Sequence, residues 1–221
     1  VNAPAKKAAS QPLKQRAEVR TNTTKDSVCK VDVQPVTFAS LWDNYVTGSP
    51  YKENGDVPKG FENQCAIRMS ATLHKVGIEM KSFVSANVPV KSGAKLGRIL
   101  LDGKSTAVRA DQLGAWLDKQ PFCGLGKTEN ITGADWEAKV KGRTGIIMFD
   151  GYWTRAGESA STASGGHIDL WNGSRLTVSS PEALISTIGR RIGISSMHFP
   201  GTDYGYSDLR NSKTILFWEV K

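Results

Sequence analysis

The stretch Glu62-Asn63-Gln64-Cys65-Ala66-Ile67-Arg68-Met69-Ser70-Ala71-Thr72-Leu73-His74-Lys75-Val76 holds neither glycine nor proline, and Cys65, Met69, Leu73 and Val76 recur at i, i+4, i+8 and i+11. That spacing lines one face of a 3.6-residue helix, and Gly77 supplies the residue on which helices commonly end. Cys65 falls in the first turn, behind a loop over residues 47–61 that carries Gly48, Pro50, Gly55, Pro58 and Gly60. Two readings of Cys65 stand side by side. Cysteine packs well as a small hydrophobe. A helix start also stabilises a thiolate, because its unpaired N–H groups and the positive end of its dipole face the sulfur.

A second stretch decides what such a thiolate would meet. In Gly165-Gly166-His167-Ile168-Asp169-Leu170-Trp171, His167, Asp169 and Trp171 alternate with Ile168 and Leu170, so a strand over these residues puts His167 and Asp169 on one face. Asn172-Gly173 is a hairpin signal that turns this strand into Arg175–Val178. A free thiol titrates near ~8.5 and attacks carbonyls poorly at neutral pH, whereas an imidazole within hydrogen-bond reach activates it as base or imidazolium partner. Cys65 and His167 are therefore the candidate nucleophile and its partner. The amides of Asn63 and Gln64, next to the thiol, are candidate oxyanion or substrate contacts. Asp169 is the candidate third member of the site, with a solvent- or substrate-facing carboxylate as the competing reading; Asn172 is explained by the turn.

The other histidines read more plainly. His74 lies further along the Cys65 helix as a half-exposed helical residue, and His198 sits in a Met-His-Phe-Pro loop that lines the cleft at most. No C-x-x-C or paired histidine supplies the close ligand pairs that zinc requires. Neither a metal nor another cofactor is expected.

Around these stretches the order is helices first and antiparallel strands later, an α+β arrangement. Phe38, Leu41, Trp42 and Tyr45 predict a short amphipathic helix. Gly97–Asp102 predicts a strand, Ala110–Lys119 a helix stopped before Pro121, and residues 121–134 a connector. Gly145-Ile146-Ile147-Met148-Phe149 predicts a buried strand, residues 150–166 a substrate-facing loop, Pro181–Ile192 a helix, and Thr214–Val220 a closing strand.

The chain has 221 residues, enough for one well-buried domain with an extension, and its net charge of +8 is uneven. Residues 1–30 hold seven Lys or Arg against two Asp or Glu, which is +5 of that total. Such a stretch, poor in large apolar residues, cannot bury enough surface to offset its ordering entropy. Residues 1–35 are therefore expected to be a basic flexible arm and residues 36–221 the folded domain. The arm is either a plain leader or an electrostatic contact with a polyanion such as nucleic acid, a membrane surface or the cell wall. Nucleic acid is disfavoured, because the basic stretch has no aromatic residue and the Trp-rich region is not basic. No apolar run approaches the ~18 residues that span a bilayer. No secretory signal core stands at the visible start, so a signal has been removed or export takes another route. Three cysteines leave at least one unpaired; Cys29 and Cys123 either form a disulfide or stay thiols.

Asn63-Gln64-Cys65-Ala66-Ile67-Arg68-Met69-Ser70, Gly145-Ile146-Ile147, Gly166-His167-Ile168-Asp169-Leu170-Trp171-Asn172-Gly173 and the terminal Phe217-Trp218 strand together resemble the fourth family of type VI secretion amidase effectors, within the papain-like superfamily that includes NlpC-type cell-wall peptidases. The resemblance covers roughly residues 36–221. It implies a papain-like α+β fold, with the Cys65 helix packed on a central antiparallel sheet. It also implies a secreted antibacterial toxin that acts in the periplasm of target bacteria, cutting peptidoglycan stem peptides between γ-D-glutamate and meso-diaminopimelate, and a cognate immunity protein that plugs the cleft. Cys65 would attack the carbonyl, its backbone N–H and a nearby amide would hold the oxyanion, and His167 would protonate the leaving amine. One departure stands out: the family places an acidic orienting residue on the strand after the hairpin, where this chain has Thr177, Val178 and Ser179, and Asp169 is the substitute. Two other classes compete: a different thiol acyl-transfer enzyme on the same fold, such as an N-acetylmuramoyl amidase or a transglutaminase-like protein, and a non-catalytic basic cell-wall-binding module.

Overall fold

The computed structural model describes residues 15–20, 28–91, 93–153, 165–177, 196–198, 205–207, 209 and 212–221. In chain order, β1 (Gln15–Arg20) and β2 (Val28–Val33) are followed by α1 (Phe38–Asp43), α2 (Cys65–Lys75), β3 (Arg98–Leu101), β4 (Lys104–Ala107) and α3 (Ala110–Leu117). Then come β5 (Thr128–Asn130), α4 (Trp136–Val140), β6 (Gly145–Trp153), β7 (Gly165–Trp171), β8 (Ser196–His198), β9 (Gly205–Ser207) and β10 (Thr214–Glu219). The main sheet has the order β5-β10-β6-β7 and its pairings are antiparallel. This is the α+β class expected from the sequence, with helices on an antiparallel sheet.

Alternation along the strands gives the sheet two buried faces. Ile146 and Met148 of β6, Ile168 and Leu170 of β7 and Trp218 of β10 pack with Cys65, Met69 and Leu73 of α2 and with Leu113, Trp116 and Leu117 of α3. The residues between them, Ile147, Phe149, Trp171, Ile215 and Phe217, pack with Trp136 and Val140 of α4 and with Leu176 and Leu209. Trp136 meets Phe149 and Trp171 edge-on at 5.0 and 5.3 Å. α3 comes close to the sheet because Gly114 faces it: a Cβ there would stand 2.5 Å from the Met148 sulfur.

Each end of α2 has a local cause. At its C-terminus Gly77 takes φ +91°, its N–H donates to His74 and that of Ile78 to Leu73. That pair of bonds is a Schellman motif, which satisfies carbonyls the helix would otherwise leave open. Within the helix Ser70 accepts the Ala107 N–H through Oγ at 3.1 Å, and Thr72 accepts the Val46 N–H at 3.0 Å. Polar side chains thus tie α2 to β4 and to the loop after α1.

Several elements differ from the sequence expectations. Both ends of the loop expected over 150–166 are strand, since β6 runs on to Trp153 and β7 begins at Gly165; residues 154–164 lie outside the described residues. The pairing shifts register between Phe149 and Trp153, and Gly151 has φ +67°, so this glycine marks a bulge in a strand rather than its end. After Asn172-Gly173 the return strand shrinks, among the described residues, to one bridge between Trp171 and Leu176. The Asn172 N–H donates to the Arg175 carbonyl at 3.1 Å and Asn172 Oδ1 accepts the Ser174 and Arg175 N–H groups, so the chain reverses tightly over Gly173-Ser174, the hairpin turn that Asn172-Gly173 signals. Within the arm, β1 and β2 pair antiparallel from Gln15↔Val33 to Arg20↔Val28, where a structureless stretch was expected. β4, β5, α4, β8 and β9 were not anticipated. The helix expected over Pro181–Ile192 lies outside the described residues. No helix among them is long and apolar enough to cross a membrane.

Candidate active site

Cys65 is the first residue of α2, so its sulfur stands at the helix N-terminus, and the residue is 4 % exposed. It meets the start of β7, where the Gly166 carbonyl is 3.9 Å from Sγ. Gly166 itself must be small here: a Cβ would lie 3.1 Å from the Phe149 carbonyl oxygen and 3.4 Å from the Ala110 Cβ. β7 thus brings His167 to the thiol and leaves no bulk at the residue before it.

Burial pushes the Cys65 thiol up, yet the His167 hydrogen bond and charge, the Ile168 backbone N–H and the Arg68 guanidinium outweigh it, and the thiol titrates below its ordinary range. His167 moves the other way. Burial alone would lower it, but its bonds to Asp169 and Cys65 and the charge of both hold it up at about 9. A neighbour of opposite charge favours each charged form, so the arrangement supports a thiolate beside an imidazolium.

Asp169 reaches back along its own strand. Its Oδ2 lies 3.3 Å from His167 Nε2, which leaves Nδ1 as the ring nitrogen for Cys65. The other oxygen, Oδ1, accepts the Leu170 N–H at 2.8 Å and the Thr177 hydroxyl. The Asp169 side chain is 5 % exposed and that of His167 16 %. The i+2 spacing on one strand is therefore compatible with contact.

The two amides expected to face an oxyanion have other partners. Gln64 is fully buried, with Nε2 donating to the Tyr51 carbonyl at 2.7 Å and Oε1 accepting the Tyr51 N–H at 2.9 Å. Both ends of its amide clamp the approach loop, which corrects its expected place in the cleft: a buried side chain with a two-point match to a backbone stays with it. Asn63 is exposed, and its Oδ1 accepts the Cys65 N–H at 3.4 Å, a long bond. Asn63 is therefore an acceptor toward the residue it was expected to assist. Arg68, one turn into α2, holds the same loop through Nη1 to the Gly48 carbonyl at 3.0 Å.

His74 is placed away from this site, with Nε2 2.9 Å from the Ser105 carbonyl of β4, and burial lowers its pKa. The side chain of His198 lies outside the described residues, as does that of Cys29; Cys123 is a free thiol. Among the described residues no three His, Cys, Asp or Glu side chains gather in a way that could hold a metal ion. Sequence reasoning missed Tyr45 and Thr177. The Tyr45 hydroxyl is buried without a hydrogen bond of ordinary geometry, next to Thr177 and Arg68, and burial followed by the Asp169 charge pushes its pKa up. Tyr45 carried a signal, as the last residue of the amphipathic pattern of α1, but that pattern speaks of packing alone.

The family model for the type VI secretion system amidase effector protein 4 (Tae4) matches residues 61–218. The chain belongs to the Tae4 family. It is thus a hydrolase, a peptidoglycan amidase among the effectors of type VI secretion. The Tae4 match starts at the end of the approach loop, runs into β10, and spans Cys65, His167, Asp169 and Thr177. Among solved structures, Tae4 from Enterobacter cloacae is 21% identical over 86% of this chain and 98% of its own, with a TM-score of 0.47. The Tae4-Tai4 effector-immunity complex from Salmonella Typhimurium is 19% identical, covering 86% of this chain and 100% of its own, with a TM-score of 0.47. Tae4 from Salmonella typhimurium with the immunity protein Tai4 from Enterobacter cloacae is 16% identical over 83% and 98%, with a TM-score of 0.45. No protein with a curated description matches the chain.

Proposed function

We propose that Cys65, paired with His167 and with Asp169 behind it, cuts the stem peptide between γ-D-glutamate and meso-diaminopimelate in the periplasm of target bacteria. The observation that carries this reading is the buried thiol at a helix N-terminus, titrating low beside an imidazole that titrates high. The thiolate attacks the γ-carbonyl carbon and forms a C–S bond while the carbonyl oxygen takes the negative charge. The Cys65 N–H, released from its long bond to Asn63, serves as a donor to that oxygen at the positive end of α2. As the C–N bond breaks, the imidazolium of His167 gives its proton to the departing amine. Water, deprotonated by the now neutral imidazole, then releases the acyl group and restores the thiolate.

Residues 36–221 act as the amidase domain in this reading, and the basic stretch before them as an appended arm. A cognate immunity protein that covers the cleft is the proposed partner. The solved Tae4 relatives bound to Tai4 immunity proteins support it. Digestion of purified peptidoglycan, followed by fragment masses, tests the bond. The expected products end in a free D-glutamate γ-carboxyl on one side and begin with a diaminopimelate amine on the other. Release of the whole stem peptide from muramic acid would instead make the protein an N-acetylmuramoyl amidase.

The pH dependence follows from the same pair. Catalysis needs the thiolate, so activity rises as pH passes the depressed thiol pKa. It also needs the imidazolium proton, so activity falls again as pH passes about 9, where His167 deprotonates. The kcat/KM profile on a soluble stem-peptide substrate is therefore expected to stay high at pH 7 to 8, with its alkaline midpoint near that value. An alkaline midpoint at the ordinary imidazole value of ~6.5 contradicts the pairing.

A further inference from the structure

We propose that Thr177 is a positioning residue of this site, its hydroxyl fixing the Asp169 carboxylate so that Oδ2 faces His167. The inference rests on the reading of Cys65, His167 and Asp169 given above. A carboxylate two residues from its imidazole on the same strand is drawn to it by charge, but the strand itself does not fix which oxygen faces the ring. Strand side chains at i and i+2 stand side by side and lean along the strand. Asp169 is nonetheless held by three contacts that use its oxygens differently. Oδ1 takes the Leu170 N–H at 2.8 Å and the Thr177 hydroxyl, and Oδ2 is left for His167 Nε2 at 3.3 Å.

Of the two donors on Oδ1, the Leu170 N–H belongs to the next residue and moves with Asp169. The Thr177 hydroxyl comes from beyond the Asn172–Arg175 turn and supplies an external reference. Thr177 is 7 % exposed and Asp169 3 %, so water does not compete for the bond. The Tyr45 hydroxyl, which follows α1, is buried beside Thr177 and beside Arg68 of α2. Among the described residues, Cys65 and Thr177 face the His167–Asp169 pair directly, and the Asp169 charge also reaches Tyr45 after α1. Thr177 is the donor among them that touches the carboxylate.

A hydroxyl serves at this position where a second acid would not. Two carboxylates in mutual contact and out of water cannot both stay ionised, whereas a hydroxyl donates and leaves the negative charge on Asp169. Hydrogen bonds to charged groups are worth more than neutral ones, so losing this one is felt in turnover.

The test compares wild type, Thr177→Val, Thr177→Ser, Asp169→Asn and Cys65→Ala on a soluble stem-peptide substrate across pH 5 to 10. Circular dichroism and thermal melting monitor the fold. Thr177→Val keeps the shape and removes the donor, and is expected to lower kcat about tenfold to a hundredfold with KM nearly unchanged. Its alkaline midpoint is expected to move down from about 9 toward the free imidazole value, because an unfixed carboxylate no longer holds the His167 proton. Thr177→Ser restores the hydroxyl and is expected to return activity to within about threefold of wild type. Wild-type turnover in Thr177→Val overturns the inference, as does a fall in activity with an unmoved alkaline limb or without rescue by serine. If Asp169→Asn and Cys65→Ala collapse while Thr177→Val does not, the reading of the site stands and only the role of Thr177 is lost. Hydrolysis by Cys65→Ala overturns both.

Discussion

Cys65→Ala is expected to remove peptidoglycan hydrolysis while the protein stays folded. The side chain occupies a buried place at the start of α2, and trimming it to a methyl group costs about 1 kcal/mol of packing, well inside the stability of an ordinary domain. The chemistry loses far more. Without sulfur there is no nucleophile for His167 to activate, and the groups left at the site can only polarise a carbonyl and hold a substrate. Losing the nucleophile of a coupled constellation lowers turnover by about 10⁴-fold or more. Release of soluble muropeptides should therefore fall to the level of buffer, with far-ultraviolet dichroism unchanged. A second consequence is electrostatic: without the thiolate partner, His167 keeps only Asp169 to hold its proton, so its titration moves down from about 9. Histidine proton shifts followed against pH measure that change.

Asp169→Asn should be nearly as damaging, for a reason visible in its hydrogen bonds. The Leu170 N–H is a fixed donor onto Oδ1, so an asparagine keeps its carbonyl oxygen there. Its NH₂ group then points at His167 Nε2, where the carboxylate oxygen used to accept. An N–H facing Nε2 forces the imidazole proton onto Nδ1, the side that must take a proton from the thiol. The ring is then in the wrong tautomer and has lost its charged partner. The expected loss is about 10² to 10⁴-fold in kcat, with a smaller effect on KM. Alkylation of Cys65 by iodoacetamide at pH 6 to 7 should slow in parallel, because less of the thiol is ionised. Unchanged kinetics would return the orienting role to another group.

How much of this was legible in the sequence varies with how local the cause is. The Cys65 helix could be read because its period, its first-turn thiol and its stop at Gly77 all sit within sixteen residues. β6 and β10 could be read as apolar runs, and β7 from the alternation of His167, Asp169 and Trp171 with Ile168 and Leu170. That Cys65 and His167 come together followed from the chemistry of the pair and from the resemblance, not from spacing.

The misses have physical reasons as well. β4 reads Lys104-Ser105-Thr106-Ala107, a polar stretch whose last two residues are nonetheless buried against α2. Asp102-Gly103, both at positive φ, is its hairpin turn, a signal that in the sequence reads equally as the end of β3. β5 and α4 have three and five residues, too few to show a period. Gly151 reads as a loop residue in the sequence because a bulge and a loop ask for the same conformational freedom. Gln64 was assigned to the cleft by its place beside Cys65, but its partner is the Tyr51 backbone thirteen residues earlier, a contact no local pattern announces. Thr177 was seen only as an absent acid. Its contact with Asp169 exists because the Asn172–Arg175 turn folds the chain back onto β7, which is tertiary information.

The central claim, a thiol hydrolase of the cell wall built on Cys65, is tested most directly by digesting purified peptidoglycan with wild type and Cys65→Ala side by side and reading the fragment masses. The account predicts new D-glutamate and diaminopimelate ends with wild type and an undigested wall with the folded variant. The same fragments appearing with Cys65→Ala would contradict it.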